Sequence, residues 1–210
     1  GPIGAGDGSG FGRPCLSGAS PCGFPPWSLQ CPFMASKTTP HGLTIVLTGN
    51  GKGKTTAALG LALRAAGHGL RTCVVQFVKT RRCGEHMAAE RLAPEVEVVP
   101  MGRGFVTESG PEPADRDAAA EALAEVRRRL ADPAWRTVVA DEILGAVGLG
   151  LVSRDDVEAL VADRPERGHL VLTGRGAWPE LVAAADLVTE MRAVKHPYDA
   201  GIPAQPGIEY

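Results

Sequence analysis

Leu43-Thr44-Ile45-Val46-Leu47-Thr48-Gly49-Asn50-Gly51-Lys52-Gly53-Lys54-Thr55-Thr56 runs from an apolar segment through glycines and lysines into an Ala/Leu-rich stretch that reaches about Ala66. Leu43–Thr48 reads as a buried strand, and the segment from Thr55 to Ala66 as a helix, closed by Gly67 where a helix C-terminal glycine belongs. Between them the glycines let the backbone curl so that successive N–H groups point inward at phosphate oxygens. The helix that follows adds its positive N-terminal end. Lys54 supplies a mobile cation, and the Thr55 hydroxyl is placed to ligate Mg²⁺. Strand, loop, Gly-Lys-Thr and helix agree on a nucleotide site. The loop departs from the usual spacing: Thr48 stands where the first glycine is expected, and the first glycine is Gly49. A second lysine, Lys52, lies inside the loop, as suits a loop that holds a whole triphosphate.

Outward from this loop, short apolar runs alternate with helical patterns, which predicts a parallel sheet wrapped by helices. Further strands are expected at Arg71–Val78, Glu95–Val99, Thr137–Ala140, His169–Thr173 and Asp186–Glu190. Helices are expected at Asp115–Leu130, from Ser153 to about Ala162, and at Pro179–Ala185. Ser153 caps its helix, with Asp156 three residues on as a short capping-box variant. The strand at Thr137 ends on the carboxylate pair Asp141-Glu142. In an open parallel sheet, ligands bind at the carboxyl ends of the strands, where both the loop and this pair fall. Cys73 reads as a small buried apolar residue, and Arg127-Arg128-Arg129 as a solvated helix face.

Composition narrows the class. The chain has 210 residues, 44% of them hydrophobic, with 22 Lys+Arg against 24 Asp+Glu, for a formal charge of −2. This balance argues against binding nucleic acid or anionic lipid through bulk charge. Aromatic residues make up 5%, too few for a base-stacking surface. No apolar run approaches a membrane span. Residues 1–40 differ from the rest: they hold 8 Gly and 7 Pro, and their only charges are Asp7, Arg13 and Lys37. Cys15, Cys22 and Cys31 are spaced too widely for a zinc site. An odd total of five cysteines fits a reducing cytosol better than a disulfide framework. We expect residues 1–41 to form a disordered tail, of which 1–33 read as tag remnant or translated upstream sequence, and residues 42–210 to form the working domain.

Over residues 42–210 the sequence resembles the P-loop type of corrinoid adenosyltransferase, the ATP:cob(I)alamin and cob(I)yrinic acid a,c-diamide adenosyltransferases. The resemblance continues through Arg64-Ala65-Ala66-Gly67-His68-Gly69, Val74-Val75-Gln76-Phe77-Val78-Lys79, Gly84-Glu85 and Met101-Gly102-Arg103-Gly104-Phe105. It includes Val138-Val139-Ala140-Asp141-Glu142, Leu172-Thr173-Gly174-Arg175-Gly176 and Val194-Lys195-His196-Pro197. It closes on Gly201, Ala204-Gln205 and Gly207-Ile208-Glu209-Tyr210.

The resemblance implies a RecA-like α/β P-loop fold with a mostly parallel central sheet and helices on both faces. It implies transfer of the 5′-deoxyadenosyl group of ATP to the cobalt of a reduced corrinoid, with release of triphosphate. Cob(I) is then the nucleophile, so no protein nucleophile is required. Gly49, Asn50, Gly51, Lys52, Gly53, Lys54, Thr55 and Thr56 match the triphosphate cradle. Thr55 and Glu142 match the ligands of Mg²⁺ (or Mn²⁺), with Asp141 orienting them from behind. Phe105 matches one of two aromatics that close the lower corrinoid face, a role it shares with the reading of a simple core residue; Thr107 stands at the second aromatic position. Arg175, leaving a strand, is placed to meet phosphate or ribose, against the reading of an ordinary surface arginine. Arg64, on the helix after the loop, matches a family position, against the reading of a solvated side chain. His196 is either a substrate contact or part of a structural loop. A reduced flavoprotein donor, a homodimer and a cytoplasmic setting are implied as well, with no nucleic-acid or membrane partner. An ordinary P-loop ATPase or kinase shares the loop and the Asp141-Glu142 pair, but leaves the block from Thr173 to Tyr210 without a purpose. A RecA-like nucleic-acid module fits the charge balance poorly, and a corrinoid carrier without catalysis is hinted at only by Thr107.

Overall fold

A computed structural model of the protein describes residues 41–80, 82–104 and 110–210. Residues 1–40 of the expected tail, and Phe105 and Thr107, lie outside the described residues. Six strands, β1 (Thr44–Thr48), β2 (Thr72–Gln76), β3 (Val96–Pro100), β4 (Thr137–Asp141), β5 (His169–Thr173) and β6 (Leu187–Glu190), form one sheet in the order β3-β2-β4-β5-β1-β6. Every pairing is parallel. Strands β1, β2 and β4 are buried along their whole length, as expected of strands covered on both faces.

Alternation along the strands sorts the core into two layers. Val46, Cys73, Val75, Val138, Ala140, Leu170 and Leu172 face one side. There they pack against helices α3 (Pro113–Ala131), α4 (Ile143–Gly148), α5 (Arg154–Ala162) and α6 (Pro179–Ala184). Ile45, Leu47, Val74, Val139 and Val171 face the other and pack on α1 (Lys54–Ala66). Helix α2 (Gly84–Arg91) joins α1 on that side, where Ala62, Ala89 and Val96 form a small cluster. The expected α/β architecture with helices on both faces is therefore observed. No helix among the described residues is long and apolar enough to cross a membrane.

Local signals account for several boundaries. Ser153 Oγ accepts from Asp156 N at 3.1 Å, and Asp156 Oδ2 accepts from Ser153 N at 3.4 Å, completing the expected cap of α5. Gly67 is the C-cap of α1 but sits in right-handed conformation (φ −60°); the left-handed residue is Gly69 (φ 67°). The sequence pattern did not predict α2 or α4. Both are short, and α4 (Ile-Leu-Gly-Ala-Val-Gly) has no polar face to set a period.

The arginine run is only partly a solvated face. Arg129, with a side chain 13% exposed, forks onto Glu97 at 2.7 and 2.8 Å and lies over the Trp135 ring. A guanidinium can do this because its planar donors and flat face satisfy a carboxylate and an aromatic together. Burial pushes the Cys73 thiol up to about 12, in keeping with an inert core residue.

Candidate active site

The carboxyl ends of β1, β4 and β5 converge at the glycine-rich loop. Gly49 (φ 98°) and Gly53 (φ 117°) adopt conformations that favour glycine. Gly51 is required for a different reason: its N–H donates to Met191 O at 2.7 Å, and an added Cβ would come within 2.8 Å of that same carbonyl group. Met191 N in turn donates to Thr48 O at 2.8 Å, so the segment leaving β6 braces the loop from behind.

Lys54 opens α1 and is 7% exposed. Its Nζ folds back to donate to Gly49 O at 2.9 Å and Gly51 O at 3.0 Å. Burial lowers its pKa below the ordinary lysine value, and the nearby Glu142 and Asp141 charges act in the opposite sense. Its two bonds to loop carbonyls tie the loop into its curl.

Behind Lys54 lies a buried polar knot. Asp141, at 1% exposure, ends β4. Thr55 Oγ1 donates to its Oδ1 at 2.9 Å, and Thr173 Oγ1 from the end of β5 donates to the same oxygen at 2.8 Å. Thr173 Oγ1 also accepts from Glu142 N at 2.8 Å. Glu142 has φ 61°, and it is the positive-φ residue other than glycine among those described. A non-glycine residue held left-handed stores about 1–3 kcal/mol, a pattern common at functional sites. Burial raises the pKa of Asp141, and burial followed by the Asp141 charge raises that of Glu142. The hydroxyl and two carboxylates form an all-oxygen donor set of the kind a hard divalent cation prefers.

A cleft of about 440 Å³ opens above this knot. Lys52, Gly53, Lys54, Thr55, Thr56 and Glu142 line it, so the structure gathers these expected residues around one space. Gly49, Asn50 and Gly51 form the turn of the loop and are not among its lining. Arg64 is exposed in the last turn of α1, about 15 Å along the axis from Lys54 at 1.5 Å per residue, and does not line the cleft. Arg175 is exposed beyond β5 and outside the lining, yet its charge is felt by both Lys54 and Glu142. His196 Nδ1 accepts from Tyr198 N at 3.2 Å and caps the 3-10 turn Pro197–Ala200.

The far walls of the cleft were not assigned from the sequence. Lys79 comes from the segment after β2, Gly84, Glu85 and Ala88 from α2, and Gly207–Tyr210 from the C-terminal segment. Their only sequence signal was the family resemblance of Lys79, Gly84-Glu85 and Gly207-Ile208-Glu209-Tyr210. No spacing rule brings residues 79–88 and 207–210 to one loop.

A glycine-rich loop between the first strand and helix of a parallel sheet, facing a carboxylate pair at another strand end, defines a P-loop nucleotide-binding protein. Residues 40–210 match the family described as ATP:corrinoid adenosyltransferase BtuR/CobO/CobP. The chain is 43% identical to the corrinoid adenosyltransferase of Pseudomonas aeruginosa strain PAO1 over 171 residues, 81% of this chain and 84% of that one. Identity to the corrinoid adenosyltransferase of Escherichia coli K12 is 40%, and to corrinoid adenosyltransferase CobA of Salmonella typhimurium LT2 42%, each over 81% of this chain and 86% of the relative. Among solved structures, flagellar accessory protein FlaH from Methanocaldococcus jannaschii aligns at a TM-score of 0.46 and 13% identity, covering 72% of this chain and 71% of that one. The chain belongs to the ATP:corrinoid adenosyltransferase family, whose substrates are ATP and a corrinoid.

Proposed function

We propose that the protein joins C5′ of ATP to the cobalt of a cob(I) corrinoid, either cob(I)alamin or cob(I)yrinic acid a,c-diamide, in adenosylcobalamin biosynthesis or salvage. Cobalt(I) contributes the electron pair of the new Co–C bond, and triphosphate leaves with the pair of the broken C5′–O bond. The observation that carries this reading is the pairing of Lys52 and Lys54 on one cleft with the loop amides, in a chain of this family. Ordinary ATPases need to polarise only the terminal phosphoryl group, whereas here the whole triphosphate is the leaving group. Two lysines suit a leaving group whose charge grows along its full length.

Thr55 and Glu142 would hold Mg²⁺ (or Mn²⁺), which supplies charge neutralisation to the triphosphate when bound. The protein's own residues do the rest. Gly49–Thr56 cradle the phosphates, Asp141 fixes the Thr55 hydroxyl, and Thr173 fixes the Glu142 backbone. Phe105 would cover one corrinoid face, and Arg175 would meet the ribose or a phosphate from the rim. A reduced flavoprotein supplies the electron that gives cob(I), the working unit is a homodimer, and the setting is cytoplasmic.

The test is an anaerobic reaction of the protein with chemically reduced cob(I)alamin, ATP and Mg²⁺, followed by visible spectrum and by phosphate analysis. An alkylcobalamin spectrum with equimolar triphosphate is expected. Orthophosphate with no change at cobalt would overturn the reading in favour of an ordinary ATPase.

A further inference from the structure

Three lysines and three glutamates line the cleft: Lys52, Lys54 and Lys79 with Glu85, Glu142 and Glu209. Each lysine has a partner within the protein. Lys54 donates to two loop carbonyls, and Lys52 Nζ lies 3.9 Å from Glu209. Lys79 Nζ donates to Glu85 Oε1 in a close ion pair. Burial works against the Lys79 ammonium, but the bond to Glu85 and its charge outweigh that and hold its pKa above the ordinary value.

The support for this pair is unusual in extent. Gln76, fully buried at the end of β2, donates Nε2 to Glu85 Oε1 at 3.3 Å and more weakly to Asp141 Oδ2 at 3.4 Å. Carboxylates only accept, so the amide must turn its nitrogen toward both. Its Oε1 is left buried without a partner among the described residues. Leaving a buried acceptor without a partner is costly, and the amide bears that cost because turning over would set its oxygen against both carboxylates. The backbone beside Lys79 is pinned too: Phe77 N donates to Asp141 O at 3.0 Å, and Gly104 N to Val78 O at 2.9 Å. Lys79 is thereby linked, through Glu85 and Gln76, to the carboxylate that fixes Thr55.

We propose that Lys79 is a third phosphate-binding cation of this cleft, held facing it by Glu85, with Gln76 as the positioning residue, and that it exchanges the Glu85 carboxylate for a phosphate oxygen of the incoming triphosphate. This rests on the reading of the cleft as a triphosphate site. The exchange suits a cleft whose lysines and glutamates balance: the ligand brings negative charge, and a lysine already turned to the cleft meets it with little rearrangement.

The test uses the full chain and inorganic triphosphate with Mg²⁺ as probe, followed by titration calorimetry. Lys79→Met should weaken binding about tenfold or more, and Lys79→Arg should stay within about threefold of the parent. Glu85→Gln should tighten binding severalfold, because the competitor for Lys79 is gone. That gain should vanish in the Lys79→Met background, the coupling expected of residues in one network. A structural pair would instead lower the melting temperature in both single variants and leave triphosphate affinity in place. Unchanged affinity in Lys79→Met, or an equal Glu85→Gln gain in both backgrounds, overturns the proposal. Lys54→Ala separates the two levels. If it binds triphosphate normally, the site reading itself fails; if it loses binding while Lys79→Met keeps it, only the role of Lys79 fails. Should Lys79→Met not fold, the Lys79→Arg and Glu85→Gln arms decide alone, by retained and by tightened binding.

Discussion

Thr173→Val tests the polar knot beneath the loop with almost no change of shape. The Thr173 hydroxyl donates to Asp141 Oδ1 at 2.8 Å and accepts from Glu142 N at 2.8 Å, with Thr173 fully buried. Valine keeps the volume and removes both bonds. A hydrogen bond to a charged group contributes about 1.5–3 kcal/mol, and a buried N–H left without an acceptor costs about 1–3 kcal/mol. The two losses share one atom and are not fully additive, so the expected destabilisation is about 3 kcal/mol. The same change frees Glu142 from the bond that helps hold its left-handed backbone, so adenosylation should fall by more than the loss of folded protein explains. Thr173→Ser keeps the hydroxyl and loses one methyl, for about 1 kcal/mol, and should retain the activity. Equilibrium urea unfolding gives the stability and the anaerobic corrinoid assay the activity. A Thr173→Val protein within about 0.5 kcal/mol of the parent would refute the claim that this hydroxyl organises the site.

Three other outcomes are expected. Lys54→Ala should reduce the adenosylation rate by on the order of 10²–10³, as for loss of a preorganised donor at a developing charge; near-normal turnover would refute the role. Glu142→Gly should raise unfolding stability by about 1 kcal/mol, because glycine accepts the left-handed backbone freely, while adenosylation is lost with the carboxylate. At the far side of the sheet, burial alone would raise the Glu125 pKa, but the bonds to Arg129 and Arg128 hold it below the ordinary 4.5. A depressed carboxylate stabilises the fold above its unfolded value and loses that contribution as pH falls toward the folded one. The stability gap between the parent and Arg129→Met should therefore be widest at neutral pH and narrow below about 4.5. A gap independent of pH would contradict the pairing.

What the sequence revealed depended on how local the cause was. Leu43–Thr48, the glycine loop and α1 are contiguous, and each signals itself: an apolar run, glycines in a turn, an Ala/Leu helix. Ser153 and Asp156 announce a cap for the same reason. The left-handed backbone of Glu142 carried no signal, since glutamate has no preference for that region and the bond that helps hold it comes from Thr173, 31 residues away. Helix α2 was missed because Gly84–Arg91 is one short segment with few apolar positions. Missing it also hid how Gly84, Glu85 and Ala88 reach the cleft wall. The C-terminal wall, Gly207–Tyr210, reaches the loop only through the path of the chain after β6, which no periodicity encodes. Arg64 shows the converse: a residue close in sequence to the loop is carried away from it by the rise of its own helix.

The order of the sheet has a consequence for how this site can change over time. Strand β5 lies between β1, which carries the loop, and β4, which carries the carboxylate pair. Two interstrand spacings of about 4.8 Å separate those strands, roughly 10 Å in all. Backbone hydrogen bonding sets that width, and no side-chain substitution can adjust it by a fraction. Evolution on this scaffold can exchange what spans the gap, such as Thr55, Asp141 and Thr173, but it inherits the gap itself. New chemistry here has to be found within a fixed frame, by altering reach and charge rather than spacing.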